Sequence, residues 1–154
     1  GQAIRFAESD VRAMGRNSMG VRSIDLADGD EVIALAKVEE GKQVLAITQN
    51  GYGKRTEIDE FRTQSRGGKG ILAMRLTEKT GLMAAQMLVD PDEDIMLITD
   101  DGTIIRMPVS GISVIGRVSQ GVRVMRVEEE SRIVGVTATE REEEATEETE
   151  ATEE

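Results

Sequence analysis

Short apolar runs alternate with clusters of glycine and charged or amide residues along most of this chain. Runs of that length, bounded by turn-forming residues, read as strands rather than helices. Val32-Ile33-Ala34-Leu35-Ala36 and Ile95-Met96-Leu97-Ile98 are apolar on both faces and are expected to be interior strands. Around Arg5 and Arg106 the pattern alternates instead, so that Ile4, Phe6, Ile105 and Met107 point inward while the arginines point out. Asn50-Gly51 and Asp101-Gly102 each join two apolar runs and predict two-residue hairpin turns with positive φ at both positions. Helix is expected only as single turns near Ser9–Met14, Ile58–Phe61 and Val109–Ile112.

The pattern occurs three times. Gly1-Gln2-Ala3-Ile4-Arg5 matches Gly51-Tyr52-Gly53-Lys54-Arg55 and Gly102-Thr103-Ile104-Ile105-Arg106, at offsets of 50 and 51 residues. The same offsets relate Gly15–Val21, Ser65–Ile71 and Gly116–Val122. A constant offset marks one supersecondary unit used repeatedly. Each copy reads as strands a (Gln2–Ala7, Tyr52–Glu57, Thr103–Pro108), b (Gly20–Leu26, Gly70–Leu76, Gly121–Val127) and c (Val32–Val38, Leu82–Val89, Ile133–Thr139). Strand d follows in two copies, at Val44–Thr48 and Ile95–Thr99. The fold class expected is all-β, with propeller-like blades of four strands and about 50 residues each. The repeats lie near 1–50, 51–101 and 102–139. Strand a of the first copy lacks an upstream d, and the third copy lacks its own, so a carboxy-terminal piece of a larger blade assembly is expected.

Charge is unevenly placed. The chain of 154 residues has net charge −11, of which residues 140–154 carry −8 and residues 1–139 only −3. Thr, Ala and Glu make up residues 145–154, a composition that offers no core. Residues 140–154 are therefore expected to be a disordered acidic tail. Cysteine and histidine are absent, which removes disulfides, thiolate zinc sites and the usual general base. No apolar run approaches the ~20 residues of a membrane span, so no membrane partner is expected.

With no histidine, Ser-His-Asp chemistry has no base, and no catalytic, metal or cofactor site is expected in these residues. Asp90-Pro91-Asp92-Glu93-Asp94 begins like a calcium loop but has Ile95 where the glycine belongs and Asp101 where the closing glutamate belongs. Tyr52 reads as a surface aromatic at a turn. The cations are more telling. Arg5, Arg55 and Arg106 form one column, Arg16, Arg66 and Arg117 a second, and Arg12 and Arg62 a third. With Lys54 and Lys69, these are the candidate contacts to a polyanion followed along its backbone, where each neutralised phosphate releases counterions. The competing reading is that each arginine pins a turn through a carboxylate or carbonyl of its own blade. Ile24, Met74 and Met125 match across copies and are expected to be buried.

Gln64-Ser65-Arg66-Gly67-Gly68-Lys69-Gly70 resembles the gyrase A-box, Gln-(Arg/Lys)-Arg-Gly-Gly-(Arg/Lys)-Gly, departing only at Ser65. The surrounding repeats, over residues 1–139, look like the carboxy-terminal domain of the DNA gyrase A subunit. That resemblance implies a β-pinwheel, a ring of blades with its own strand connectivity, around whose basic perimeter DNA bends. It also implies a double-stranded DNA partner, the rest of the gyrase A subunit and through it the gyrase B subunit. The implied setting is bacterial, cytoplasmic and chromosome-associated, and the implied parent is an ATP-dependent supercoiling enzyme whose catalysis lies elsewhere. In that family the box belongs to the first blade, so Gln64–Gly70 is expected to be an echo of it in a late blade. The matching domain of topoisomerase IV is an alternative, and a blade scaffold that binds protein is an alternative of another class.

Overall fold

The computed structural model describes residues 1–142. Its strands are β1 (Gln2–Ala3), β2 (Arg5–Phe6), β3 (Gln43–Thr48), β4 (Tyr52–Glu57), β5 (Thr63–Gln64), β6 (Ile71–Leu72), β7 (Met83–Val89), β8 (Glu93–Thr99), β9 (Ile104–Pro108), β10 (Val122–Arg123) and β11 (Ile133–Glu140). Single 3-10 turns at Glu8–Asp10, Ile58–Glu60 and Val109–Gly111 follow each strand a. No helix among the described residues is long and apolar enough to cross a membrane.

No blade is made from one repeat. One sheet runs β10-β4-β3-β7. It therefore combines strand b of the third copy, strands a and c of the second, and strand d of the first. The next runs β11-β8-β9, which is c of the third copy, d of the second and a of the third. At the front of the chain β6 pairs with β1, repeating the pairing of β10 with β4 one copy earlier. The parallel pairing of β2 with β5 likewise recurs as a single bridge between Arg55 and Val114.

This exchange explains a departure from expectation. Strand c is built by pairing with the d strand of the preceding copy, as β7 pairs with β3 and β11 with β8. Val32–Val38 has no d strand before it in this sequence. It forms no strand, and Val32, Ile33 and Leu35 are exposed at 62%, 47% and 93%. The interior strand expected at Val32–Ala36 is thus not formed here. Ile95–Ile98, by contrast, lies in β8 with a neighbour on each side, and Ile95 and Leu97 are fully buried. The b strands are expected in all copies, but only Ile71–Leu72 and Val122–Arg123 form ladders.

The turns are one residue longer than expected. Gly51 N–H bonds to the Thr48 carbonyl and Gly102 N–H to the Thr99 carbonyl, both at 3.1 Å. Only the glycines have positive φ, +88° and +89°, while Asn50 and Asp101 do not. These are three-residue loops, a turn closed by a left-handed glycine, rather than two-residue turns. The Asn50 amide is thereby free to donate to the Glu78 and Lys79 carbonyls.

The core lies between blades. Leu45, Ile47 and Val89 of one sheet pack with Ile95, Leu97 and Ile133 of the next, closed by Val109, Ile112 and Met125. A smaller cluster of Val44, Phe61 and Ala73 packs against Ala3 and Ile71 of the first seam. Met74 and Met125 are buried as expected, whereas Ile24 is only half-buried because its seam is incomplete. Strand β11 continues to Glu140, and Arg141 and Glu142 still bond to the blade, so the body extends past the expected boundary at 139. The rest of the expected tail lies outside the described residues.

Candidate nucleic-acid interface

The repeated arginines meet carbonyls of the next repeat. Arg5 Nη1 donates to the carbonyls of Ile58 and Phe61 at 3.2 and 3.1 Å. Arg55 Nε donates to Ile112, the counterpart of Phe61, at 2.7 Å, and its Nη2 to Ser110 at 3.4 Å. Each therefore closes the 3-10 turn that follows in the next copy. Arg106 departs from this pattern. It pairs with Asp94 at 2.9 Å and with Glu142 at 3.4 Å, and donates to the Glu140 carbonyl at 2.6 Å. Its guanidinium is the leading cause that holds the Asp94 carboxyl below the usual range.

The second column staples in the opposite direction. Arg66 donates to the carbonyls of Arg22 and Asp10 at 2.9 and 3.0 Å, and Arg117 donates to Leu72, the counterpart of Arg22. The box-like loop between Gln64 and Gly70 is thereby locked onto the previous repeat. Gly67 N–H reaches the Ser23 carbonyl at 2.7 Å, and Asp25 N–H reaches the Gly68 carbonyl at 2.8 Å. Gly70, at φ +76°, lies so close to strand a that an added Cβ would overlap the Ala3 carbonyl. Among the described residues, the Gln64 Oε1 is the buried side-chain atom left without a partner. Within this motif, Lys69 and Ser65 are exposed.

Two of the candidate contacts are therefore not on a surface. Arg55 is buried at 8% exposure and Lys54 at 0%, and neither reaches a surface. The physical reason is that strand a is flanked on both faces, because the following repeat folds back over it. Tyr52 is also buried, not a surface aromatic. Lys79 and Arg123 each stand 5.5 Å from its ring centroid, and its hydroxyl accepts from Arg123, which lowers its pKa. Arg5, Arg66 and Arg117 are half-buried and engaged by backbone.

What remains exposed includes four of the expected candidates, Arg12, Arg16, Arg62 and Lys69, and two further cations. Arg12, Arg16, Arg62, Lys69, Arg75 and Arg126 are exposed and carry no ion pair or side-chain hydrogen bond among the described residues. Arg75 and Arg126 form a further column at the same 51-residue offset, which the sequence reading missed because Asp25 fills the position in the first copy. The offset itself was the signal that could have found them. No group of three or more potential metal ligands occurs among the described residues.

Blades completed by strands from consecutive repeats, with unpaired cations recurring at the repeat period, define a propeller-class array. The chain belongs to the family described as DNA gyrase C-terminal domain, beta-propeller, matching it over residues 1–39, 42–85 and 93–140. It is 46% identical over 136 residues to the DNA gyrase A subunit of Escherichia coli strain K12, covering 88% of this chain and 16% of that protein. Against the same subunit of Staphylococcus epidermidis it is 46% identical over 126 residues, covering 80% and 14%. Among solved structures, a DNA gyrase A C-terminal domain superposes with TM-score 0.82 at 27% identity, covering 90% of this chain and 47% of that one. The C-terminal domain of a DNA topoisomerase IV superposes with TM-score 0.84 at 26% identity, covering 91% and 44%. The chain thus spans about a sixth of the gyrase subunits and under half of the solved domains.

Proposed function

We propose that this chain is a non-catalytic DNA-binding and DNA-wrapping module of a gyrase A subunit. The observation that carries this reading is the recurrence of exposed, unpaired cations, Arg12 with Arg62 and Arg75 with Arg126, at the period of the repeat. A body of net charge −3 has no general attraction for a polyanion. Contact must come from such local columns, which suit a phosphate backbone passing from one repeat to the next. Arg16 and Lys69 add to the set, while Arg55 and Lys54 are assigned to architecture. On this reading the supercoiling chemistry belongs to the remaining domains of the parent enzyme and to the gyrase B subunit.

The test is a salt-series binding titration on unrelated duplexes. Arg62→Glu with Arg75→Glu should weaken binding on every duplex and reduce the slope of log affinity against log salt, by about one per lost phosphate contact. Thermal midpoint should not change, since both side chains are exposed. Unchanged affinity and slope would favour the protein-binding scaffold instead. The similarity to a topoisomerase IV domain keeps that enzyme as a second reading for the parent, because the two folds superpose equally well.

A further inference from the structure

Strand a of the second repeat holds a buried charged residue where its counterparts are apolar. Lys54 matches Ile4 and Ile105, and it is completely buried. Its Nζ lies inside the third repeat's loop and donates to the carbonyls of Gly116 and Ser119 at 3.0 Å each, and to that of Arg117. The Ser119 hydroxyl is a fourth neighbour at 3.4 Å. Three carbonyls turned toward one spot suit an ammonium with its three donors; Gly116 also accepts from the Ser119 hydroxyl at 2.7 Å, whereas the Arg117 carbonyl is met by Lys54.

The second repeat solves the same problem without charge. Its loop carries Gly67 and Gly68 where the third has Val118 and Ser119, and the methyl of Ile4 lies 3.8 Å from the position of a Cβ on Gly68. We propose that Lys54 is a positioning residue that shapes the Gly116–Ser119 loop from within and, through it, places Arg75 at the seam between the second and third repeats. The link is the Ser119 carbonyl, which accepts both from Lys54 and from the Arg75 backbone N–H at 3.1 Å. The significance of Arg75 for DNA rests on the reading proposed above, whereas the shaping of the loop does not.

The charged groups around Lys54 are known. Burial is the main influence and lowers its pKa to about 8, Glu60 opposes this, and Arg117 adds to it. Glu60 in turn accepts from the Arg117 backbone N–H at 3.1 Å, which ties the 3-10 turn to the same loop. Once deprotonated, the amine keeps two N–H donors for three carbonyls, and the loop must readjust.

The first experiment needs no variant and no DNA. In the intact chain, the Lys54 Cε resonance should titrate near pH 8, and the amides of Gly116, Arg117, Ser119 and Arg75 should move with the same midpoint. In Lys54→Met those four amides should be displaced and pH-independent while β8 and β9 keep their shifts, and Lys54→Arg should restore them in part. Loop amides unmoved in Lys54→Met, or unmoved as Lys54 itself titrates, would overturn the proposal. A DNA titration then separates the two readings. Lys54→Met should weaken binding a few-fold with an unchanged salt slope, because no phosphate-contacting charge is removed. A slope that falls as it does for Arg75→Glu would make Lys54 a phosphate contact and overturn its positioning role. Failure of Arg75→Glu to alter binding, with the loop amides behaving as expected, would instead count against the DNA reading alone.

Discussion

The two seams of this chain are built on one plan with different materials. Between the first and second repeats, Arg5 closes a turn with two bonds, and Arg66 locks a glycine-rich loop over Ile4. Between the second and third, Arg55 makes the same closure from a buried position and adds a bond to Gln43 at 2.8 Å, while Arg117 locks a loop without glycine pairs over Lys54. The second seam also encloses the larger core. The comparison teaches that an arginine recurring at a repeat period is not thereby a ligand contact. What recurs here is the closure of one repeat on the next, and the residues free for a partner are those the closure leaves over.

The comparison breaks most directly at Arg55. Arg55→Leu should cost about 3 kcal/mol in denaturant unfolding, because it strands the buried carbonyl of Ile112 and removes the bonds to Ser110 and Gln43. Arg5→Leu, removing a half-buried side chain at the lighter seam, should cost about 1 kcal/mol. Equal losses at the two sites would deny that the seams differ in strength.

A second contrast uses glycine. Gly70→Ala should destabilise by about 2–4 kcal/mol, since the new Cβ meets the Ala3 carbonyl in addition to the strain of a left-handed backbone. Gly102→Ala has the same sign of φ but open space around it, and should cost only about 1 kcal/mol. Calorimetric midpoints of the two variants would show whether close packing of the box-like loop, or backbone strain alone, sets the requirement.

Much of this architecture was readable. Turn glycines, the strand order and the burial of Met74 and Met125 follow from local chemistry that each copy repeats. What was not readable depends on partners distant in sequence. Arg55 sits between polar and charged neighbours, and nothing in its own strand says that residues 110–115 will cover it. The exposure of Leu35 has the same origin, since an apolar run is interior only if a strand exists to pair with it. Arg75 escaped notice because a column with Asp25 at its head does not look like a column.

Acid–base titration sharpens the contrast further. Lys54 has a folded-state pKa of about 8, below its ordinary 10.5. Between those values the unfolded chain binds more protons than the folded one, so stability rises with pH across that window. Relative to Lys54→Met, the parent chain should gain about 1–3 kcal/mol between pH 7.5 and 10. Urea midpoints at the two pH values test this, and a gain shared by Lys54→Met would assign it to other groups.

The smallest effect concerns the acidic end. Residues 140–154 carry net charge −8 beside a body at −3. A tethered anion competes for the free cations at high local concentration, an influence that salt screens. Removing residues 143–154 should tighten DNA binding slightly at low salt and not at all at high salt. Identical salt curves for both forms would leave the segment a solubilising one.

The exchange of strands between repeats puts the unit of heredity and the unit of folding out of step. A duplication bounded at the turn glycines adds one covalent repeat, yet the object completed in space draws on three successive copies. Such an array can grow or shrink only by whole repeats whose faces fit both neighbours, so each new copy inherits the joints of the old ones before it inherits any partner. Variation in what the surface binds is then confined to positions such as 25, 75 and 126, where a change of sign leaves every joint intact.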